Sequence, residues 1–262
     1  MNENPVLVIK DVRKSYIPGK PVLRGIDFSV YPGEIIGYIG ANGAGKSTTI
    51  KLILGLLPID EGEISLFGQL IDPNQSDFKR RIGYVPEGGE LYENLSPAEY
   101  FDFLGTLYEL SPETTKSRAK ALMKIFDIDG SYHNRMASLS KGMKQKVLII
   151  SSMLHNPDIL ILDEPLNGMD ANSVMIFKEV LSTLAKKGKT IFYSSHIMEV
   201  VEKISDRIIL LSDGKVVADG SFQQLSAQNH EASLEGLFND LTGFTDHQEL
   251  AEQFVSILEE EA

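Results

Sequence analysis

Eight consecutive residues, Gly40-Ala41-Asn42-Gly43-Ala44-Gly45-Lys46-Ser47, bring a glycine loop, a lysine and a hydroxyl together in one turn of chain. That combination suits a nucleoside triphosphate. The glycines let successive N–H groups curl inward onto phosphate oxygens, the lysine reaches the β- and γ-phosphates, and the serine hydroxyl ligates Mg²⁺. Residues 34–39 before the loop read as a buried strand and residues 47–54 after it as a helix with an apolar face, so the positive end of a helix dipole adds to the phosphate field. Strand, loop and helix are the context this motif requires. A second stretch, Ile159-Leu160-Ile161-Leu162-Asp163-Glu164-Pro165, ends an apolar strand on two carboxylates. Asp163 is suited to hold Mg²⁺ as a hard oxygen ligand, and Glu164 to accept a proton from an attacking water or to polarise it. The helix opening at Ser140-Lys141-Gly142 offers a further anion site, and Ser194-Ser195-His196 closes another strand.

The rest of the chain supplies the frame for these groups. With 262 residues, 42% of them hydrophobic, it can build one large core or two modest ones. Short apolar runs at 159–162, 190–194 and 207–211 alternate with helical patterns, which implies a largely parallel sheet covered on both faces. Runs at 6–9, 26–30 and 63–67, separated by turns such as Pro18-Gly19 and Pro32-Gly33, suggest a strand-rich first part up to about residue 86. From Ser96-Pro97 to about Asp129 the pattern turns helical, with Tyr100, Phe103, Leu104, Leu107, Ala121, Leu122, Ile125 and Phe126 at helical spacing. We read this as a helical lobe inserted in the α/β core. A helical tail from Ser221 ends in Glu259-Glu260-Glu261, read as a solvated face.

No apolar run approaches the roughly 18 residues that span a bilayer, and Met1-Asn2-Glu3-Asn4-Pro5 lacks the pattern of a signal peptide. A membrane role must therefore come through a partner. The net charge of −12 disfavours a nucleic-acid ligand, and the absence of cysteine excludes disulfides and thiolate metal sites and fits a reducing cytoplasm.

Taken together, residues 6 to 243 resemble the nucleotide-binding subunit of an ABC transporter, with motifs in that family's order. The resemblance implies an α/β fold of the P-loop NTPase ABC type, with a mostly parallel sheet core, an antiparallel β portion and an inserted helical lobe. It divides the chain into an ATP-binding domain at 1–220, with the lobe at about 88–158, and a C-terminal helical tail at 221–262. It implies ATP and Mg²⁺ as ligands. Tyr16 would stack on adenine, and Asn42, Gly43, Ala44, Gly45, Lys46, Ser47 and Thr48 would hold the phosphates. Ser140 to Lys144 match the family signature, whose Ser140 and Gly142 would bind the γ-phosphate held by an opposite subunit. Met169-Asp170 would belong to a loop crossing the dimer interface, and His196 would be the switch that contacts the γ-phosphate. Catalysis would fall to Glu164, His196 and Lys46, and the metal to Ser47, Asp163 and Glu87. The chain departs from the family at Glu87, where glutamine is usual, and in its signature at Lys141 and Met143.

These variants and the segment 233–243 resemble exporter-type bacterial ATPases whose membrane subunits are separate chains. The resemblance thus implies a second nucleotide-binding subunit, in the simplest case a homodimer, and an integral-membrane permease docked near Tyr92, Leu95, Tyr100 and Phe101. It places the protein at the cytoplasmic face of the membrane, with no nucleic-acid partner. Two other readings stay open at this point: a soluble ABC ATPase acting on ribosomes or DNA, and a regulatory subunit that binds ATP with little turnover.

Overall fold

The computed structural model describes residues 4–89, 91–229, 231–243 and 247–259. The chain begins with a hairpin, β1 (Leu7–Ile17) and β2 (Lys20–Val30), followed by β3 (Ile35–Gly40), α1 (Lys46–Ile53), β4 (Glu61–Leu66), β5 (Gln69–Leu70) and β6 (Ile82–Val85). Three helices follow: α2 (Pro97–Leu107), α3 (Pro112–Ile125) and α4 (Lys141–Met153). The chain then alternates through β7 (Ile159–Asp163), α5 (Ala171–Lys186), β8 (Thr190–Ser194), α6 (Met198–Ile204), β9 (Arg207–Ser212) and β10 (Lys215–Gly220). Helices α7 (Phe222–Asn229), α8 (Leu234–Thr242) and α9 (His247–Glu259) complete it. Of the acidic end read from sequence, Glu260 and Glu261 lie outside the described residues.

The strands form two sheets, one in the order β2-β1-β4-β5 and one in the order β10-β9-β3-β8-β7-β6. The first is antiparallel, and the second is parallel except where β10 meets β9. Both faces of the parallel sheet are covered, and its side chains sort by alternation. Ile36, Tyr38, Ile159, Ile161 and Phe192 join a core that includes the antiparallel sheet and α1. Their neighbours Ile35, Ile39, Leu160, Leu162 and Tyr193 join a core with the helices on the other side. A period of two on each strand therefore builds two cores from one near-continuous apolar run. Tyr38 secures the loop after β3 from beneath, its hydroxyl 3.0 Å from Thr49 Oγ1, which itself donates to the Gly45 carbonyl at 3.0 Å.

Strand lengths differ from the sequence reading, and the helix faces become visible only in the fold. The first strands are longer than the apolar runs 6–9 and 26–30, because hairpin pairing carries β1 and β2 through polar residues to the turn at Pro18-Gly19. In α2 the buried residues are Pro97, Ala98, Phe101 and Gly105, while Phe103 and Leu107 are exposed. In α3 they are Thr115, Ala119 and Met123, and Ile125 faces outward. Of the apolar residues at helical spacing, Phe126 is buried and Tyr100, Leu104 and Leu122 pack against the same core, while α2 and α3 approach each other through smaller residues. A Cβ placed on Gly105 would lie 2.3 Å from Thr115 Oγ1, so only glycine permits this approach. Leu225 of α7 and Leu234 and Leu237 of α8 are buried in the helical-side core, so these parts of the tail pack on the α/β body.

Candidate active site

In a parallel sheet all carboxyl ends point to one edge, and the chemistry-bearing loops follow β3, β6, β7 and β8. Pairing aligns Asp163 with Ser194, Tyr38 with Ser194 and Val85 with Leu162, so the loops leave the sheet side by side. They bound a cavity of about 520 Å³ whose wall includes Asn42, Gly43, Gly45, Lys46, Ser47, Thr48, Glu87, Asp163, Glu164 and His196. Four motifs scattered over 155 positions of sequence, from 42 to 196, thus converge on one space. Val22 of β2 adds an apolar contact that nothing in the sequence singled out.

The glycine loop has its backbone turned as phosphate binding demands, with φ of +83° at Gly43 and +114° at Gly45, a region that side chains disfavour. Lys46 Nζ donates to the carbonyls of Gly40 at 2.6 Å and Ala41 at 3.2 Å. Burial holds Lys46 below the usual lysine value, and the negative fields of Glu164, Asp163 and Glu87 oppose that shift. Asp163 is 3% exposed; its burial pushes the carboxyl up, and Glu87 and Glu164 add to the effect. Three carboxylates around a half-buried lysine form a site with excess negative charge, which favours the arrival of a cation.

Glu164 is held more tightly than a bare strand-end acid. It adopts φ +49°, an uncommon conformation for a residue with a side chain, while its N–H donates to the Ser194 carbonyl at 3.0 Å. Its Oε1 lies 2.7 Å from His196 Nδ1, and its Oε2 accepts from Ser195 Oγ at 3.2 Å. Ser195 in turn accepts from the Ile197 N–H at 3.1 Å, so the β8–α6 turn and the carboxylate are fixed together. The sequence reading assigned Ser195 no role; the register of β7 against β8 is the signal that locates it.

Not every residue expected at the site lines this cavity. Tyr16 is 55% exposed at the rim, its hydroxyl 3.3 Å from Thr48 Oγ1. Ala44 is buried behind the loop and borders a neighbouring cavity with α8. Ser140 and Gly142 are absent from the wall. Ser140 caps α4, accepting from the Met143 N–H at 3.2 Å. Phe101, expected at a docking surface, is fully buried in the helical core, where an aromatic on the α3-facing side of α2 has to go. Among the described residues no group of three His, Cys, Asp or Glu side chains could hold a metal ion by itself.

The ABC transporter family profile matches residues 23–167, from β2 through the acid pair. The ABC-type transporter ATP-binding protein EcsA of Bacillus subtilis (strain 168) is 36% identical over 239 residues, 90% of this chain and 96% of that one. The chain belongs to the ABC transporter family. A solved ATP-binding subunit of an ABC transporter superposes with a TM-score of 0.85 at 35% identity, covering 90% of this chain and 99% of the other. A dimeric ATP-binding cassette in a post-hydrolysis state, bound to ADP and Pi, gives a TM-score of 0.75 at 27% identity, with 82% and 98% covered. The α/β fold with its mixed sheets is that of the ABC ATPases, and the chain is an ATP-binding, ATP-hydrolysing transporter subunit.

Proposed function

We propose that this ABC ATPase subunit closes as a two-fold dimer around ATP and drives export through a separate integral-membrane permease, on the cytoplasmic face of the membrane. The observation that carries the reading is the division of the machinery. Apart from Ala44, which is buried behind the glycine loop, the cavity gathers every expected phosphate and catalytic group of this chain except the signature residues Ser140 and Gly142, which are absent from its wall. A second copy supplies the missing anion site symmetrically, each loop facing the other subunit's α4. Residues 1–220 then form the ATP-binding domain, with the helical lobe at about 88–158, and 221–262 a C-terminal tail.

In this reading Lys46 and the loop N–H groups hold the β- and γ-phosphates, and Glu164 takes the proton of the attacking water. His196 and Ser195 keep the carboxylate aimed. The hard oxygens of Ser47, Asp163 and Glu87 share one wall and fit Mg²⁺, provided that phosphate oxygens complete its shell. Held by these residues, Mg²⁺ would supply positive charge against the phosphates. Tyr16 stacks on adenine from the rim. We expect Tyr16→Ala to weaken ATP binding by about 1–3 kcal/mol and GTP binding similarly, since the ring face is shared by all bases; calorimetric titration of both nucleotides checks this.

Among the described residues no helix is long and apolar enough to cross a membrane. A partner has a place to dock: a groove of about 270 Å³ between the end of α1, β6 and the lobe, lined by Leu54, Leu56, Ile82, Tyr84, Tyr100, Leu104 and Tyr108. Tyr92, 62% exposed, stands beside it with its ring 6.3 Å from that of Tyr100. The floor strand β6 leads directly to Glu87. Tyr84 bridges the two regions, its hydroxyl pushed up to about 12 by burial and by the fields of Asp163 and Glu87, so it stays neutral at any working pH. A short amphipathic helix in this groove would therefore press on the segment that bears Glu87.

Affinity purification from detergent-solubilised host membranes tests the proposal. Recovery of a multi-spanning protein at near-equal abundance supports it; recovery of the soluble subunit alone, or with ribosomes, refutes it. Leu56 is 56% exposed, so Leu56→Asp should change folding stability by no more than about 0.5 kcal/mol while removing the membrane partner from the eluate.

A further inference from the structure

Helix α4 carries Ser140 at its N-cap, and its next two turns grip the segment that follows Glu164. A Cβ on Gly142 would lie 2.4 Å from the Gly168 carbonyl oxygen, so helix and loop meet backbone to backbone. Gln145, 7% exposed, donates its Nε2 to the Pro165 carbonyl at 2.9 Å. Lys146, 8% exposed, pairs with Asp170 at 2.9 Å and donates to the Phe126 carbonyl at 3.2 Å. Asp170 also caps α5, accepting from the Ser173 N–H at 2.9 Å and the Ser173 hydroxyl at 2.7 Å. Residues 165–170 are thereby clamped between α4 and α5.

We infer that Gln145 and Lys146 are positioning residues that convert engagement of Ser140 at one nucleotide site into placement of Glu164 at the other. The inference rests on the dimer proposed above. In that dimer the N-terminus of α4 serves the partner's nucleotide, whereas the clamped segment starts one residue after the chain's own Glu164. No flexible linker intervenes, because Glu164 is itself pinned through its N–H and both carboxylate oxygens. A pull on α4 therefore reaches the carboxylate through Gln145 and Lys146.

Apart from its bond to the Phe126 carbonyl, folding does not call for a charge at this position. An ammonium is rarely buried without partners, and an apolar side chain of similar length would fill the same space with no charge to desolvate. What the charged pair adds is a fixed register between the helix and the loop. Asp170, with its side chain 56% exposed and its cap to Ser173 intact, is not stranded when the lysine is removed.

The test compares Lys146→Met and Lys146→Arg with wild type in the full chain. It follows thermal unfolding, the ATP dependence of hydrolysis, and ATP-driven dimerisation by light scattering in a Glu164→Gln background. We expect wild type to hydrolyse ATP with a Hill coefficient near 2, the ceiling for two sites. Lys146→Met, which leaves the Phe126 carbonyl without its donor, should unfold only a few degrees lower, keep its dimer, lower kcat by about 2- to 30-fold and reduce the Hill coefficient to about 1; Lys146→Arg should restore kcat and cooperativity. A Lys146→Met protein with wild-type cooperativity overturns the inference, as does one whose only change is reduced stability, or a wild type that dimerises yet shows no cooperativity. A Glu164→Gln protein that stays monomeric in ATP overturns the dimer itself, a separate result. If Lys146→Met does not fold, Gln145→Met, which removes only the donor to Pro165, carries the same comparison.

Discussion

Glu164→Gln should bind ATP at least as well as the native chain, lose about 10²- to 10⁴-fold in turnover, and accumulate as an ATP-bound dimer. The size of the effect follows from what the substitution spares. Glutamine has the same shape and can occupy the same left-handed backbone position. Its carbonyl oxygen can still accept from Ser195, and its amide can still meet His196, so the aim of the side chain survives. Two things are lost: a base for the proton of water, and one negative charge. Glu87, Asp163 and Glu164 line the same cavity, so removing that charge also relieves repulsion toward the triphosphate. Single-turnover assays and size-exclusion chromatography with and without ATP read both consequences. Hydrolysis at the native rate would remove Glu164 from its assigned role. A native protein already as slow as the variant would instead favour an ATP-binding switch over a motor.

Much of this site was legible before any coordinates, for a physical reason. Phosphate, Mg²⁺ and a reacting water each demand particular atoms at the ends of particular strands, and those demands are written locally: the glycine loop at 40–47, and the acids 163 and 164 after four apolar residues. Burial on both faces of β7, β8 and β9 was legible for the same reason, since an unbroken apolar run implies a strand covered on both sides. What could not be read was set by pairs distant in sequence. Ser195 reaches Glu164 only because β7 and β8 lie in a register that no single strand encodes. Gln145 and Lys146 look like ordinary helix residues until α4 is laid against Pro165 and Asp170. The helices of 97–125 were legible from spacing, but not which residues bring α2 against α3, because the contact of Gly105 with Thr115 is chosen by closeness rather than by hydrophobicity.

Ser140→Asp should leave ATP binding to the isolated subunit unchanged while abolishing both ATP-driven dimerisation and turnover. Aspartate caps a helix as well as serine, so α4 and its bond to the Met143 N–H are retained and the fold is not at risk. Near its own helix terminus the new carboxylate is even favoured by the dipole. Ser140 does not touch the cavity of its own chain, so the charge is remote from the nucleotide held there. In the closed dimer it would face the partner's γ-phosphate. Two unit charges about 4 Å apart repel by about 1 kcal/mol in water and about 4 kcal/mol at the effective dielectric of a protein surface, which corresponds to about 5- to 1,000-fold at each of two sites. Equilibrium binding of a fluorescent ATP analogue at subunit concentrations below dimerisation, beside light scattering and phosphate release, separates the alternatives. If nucleotide affinity of the monomer falls with turnover, the signature acts within its own chain and the division of labour between two subunits is wrong. If affinity holds while dimer and turnover vanish together, the anion site at Ser140 completes a partner's active site, and each copy is half of the catalyst.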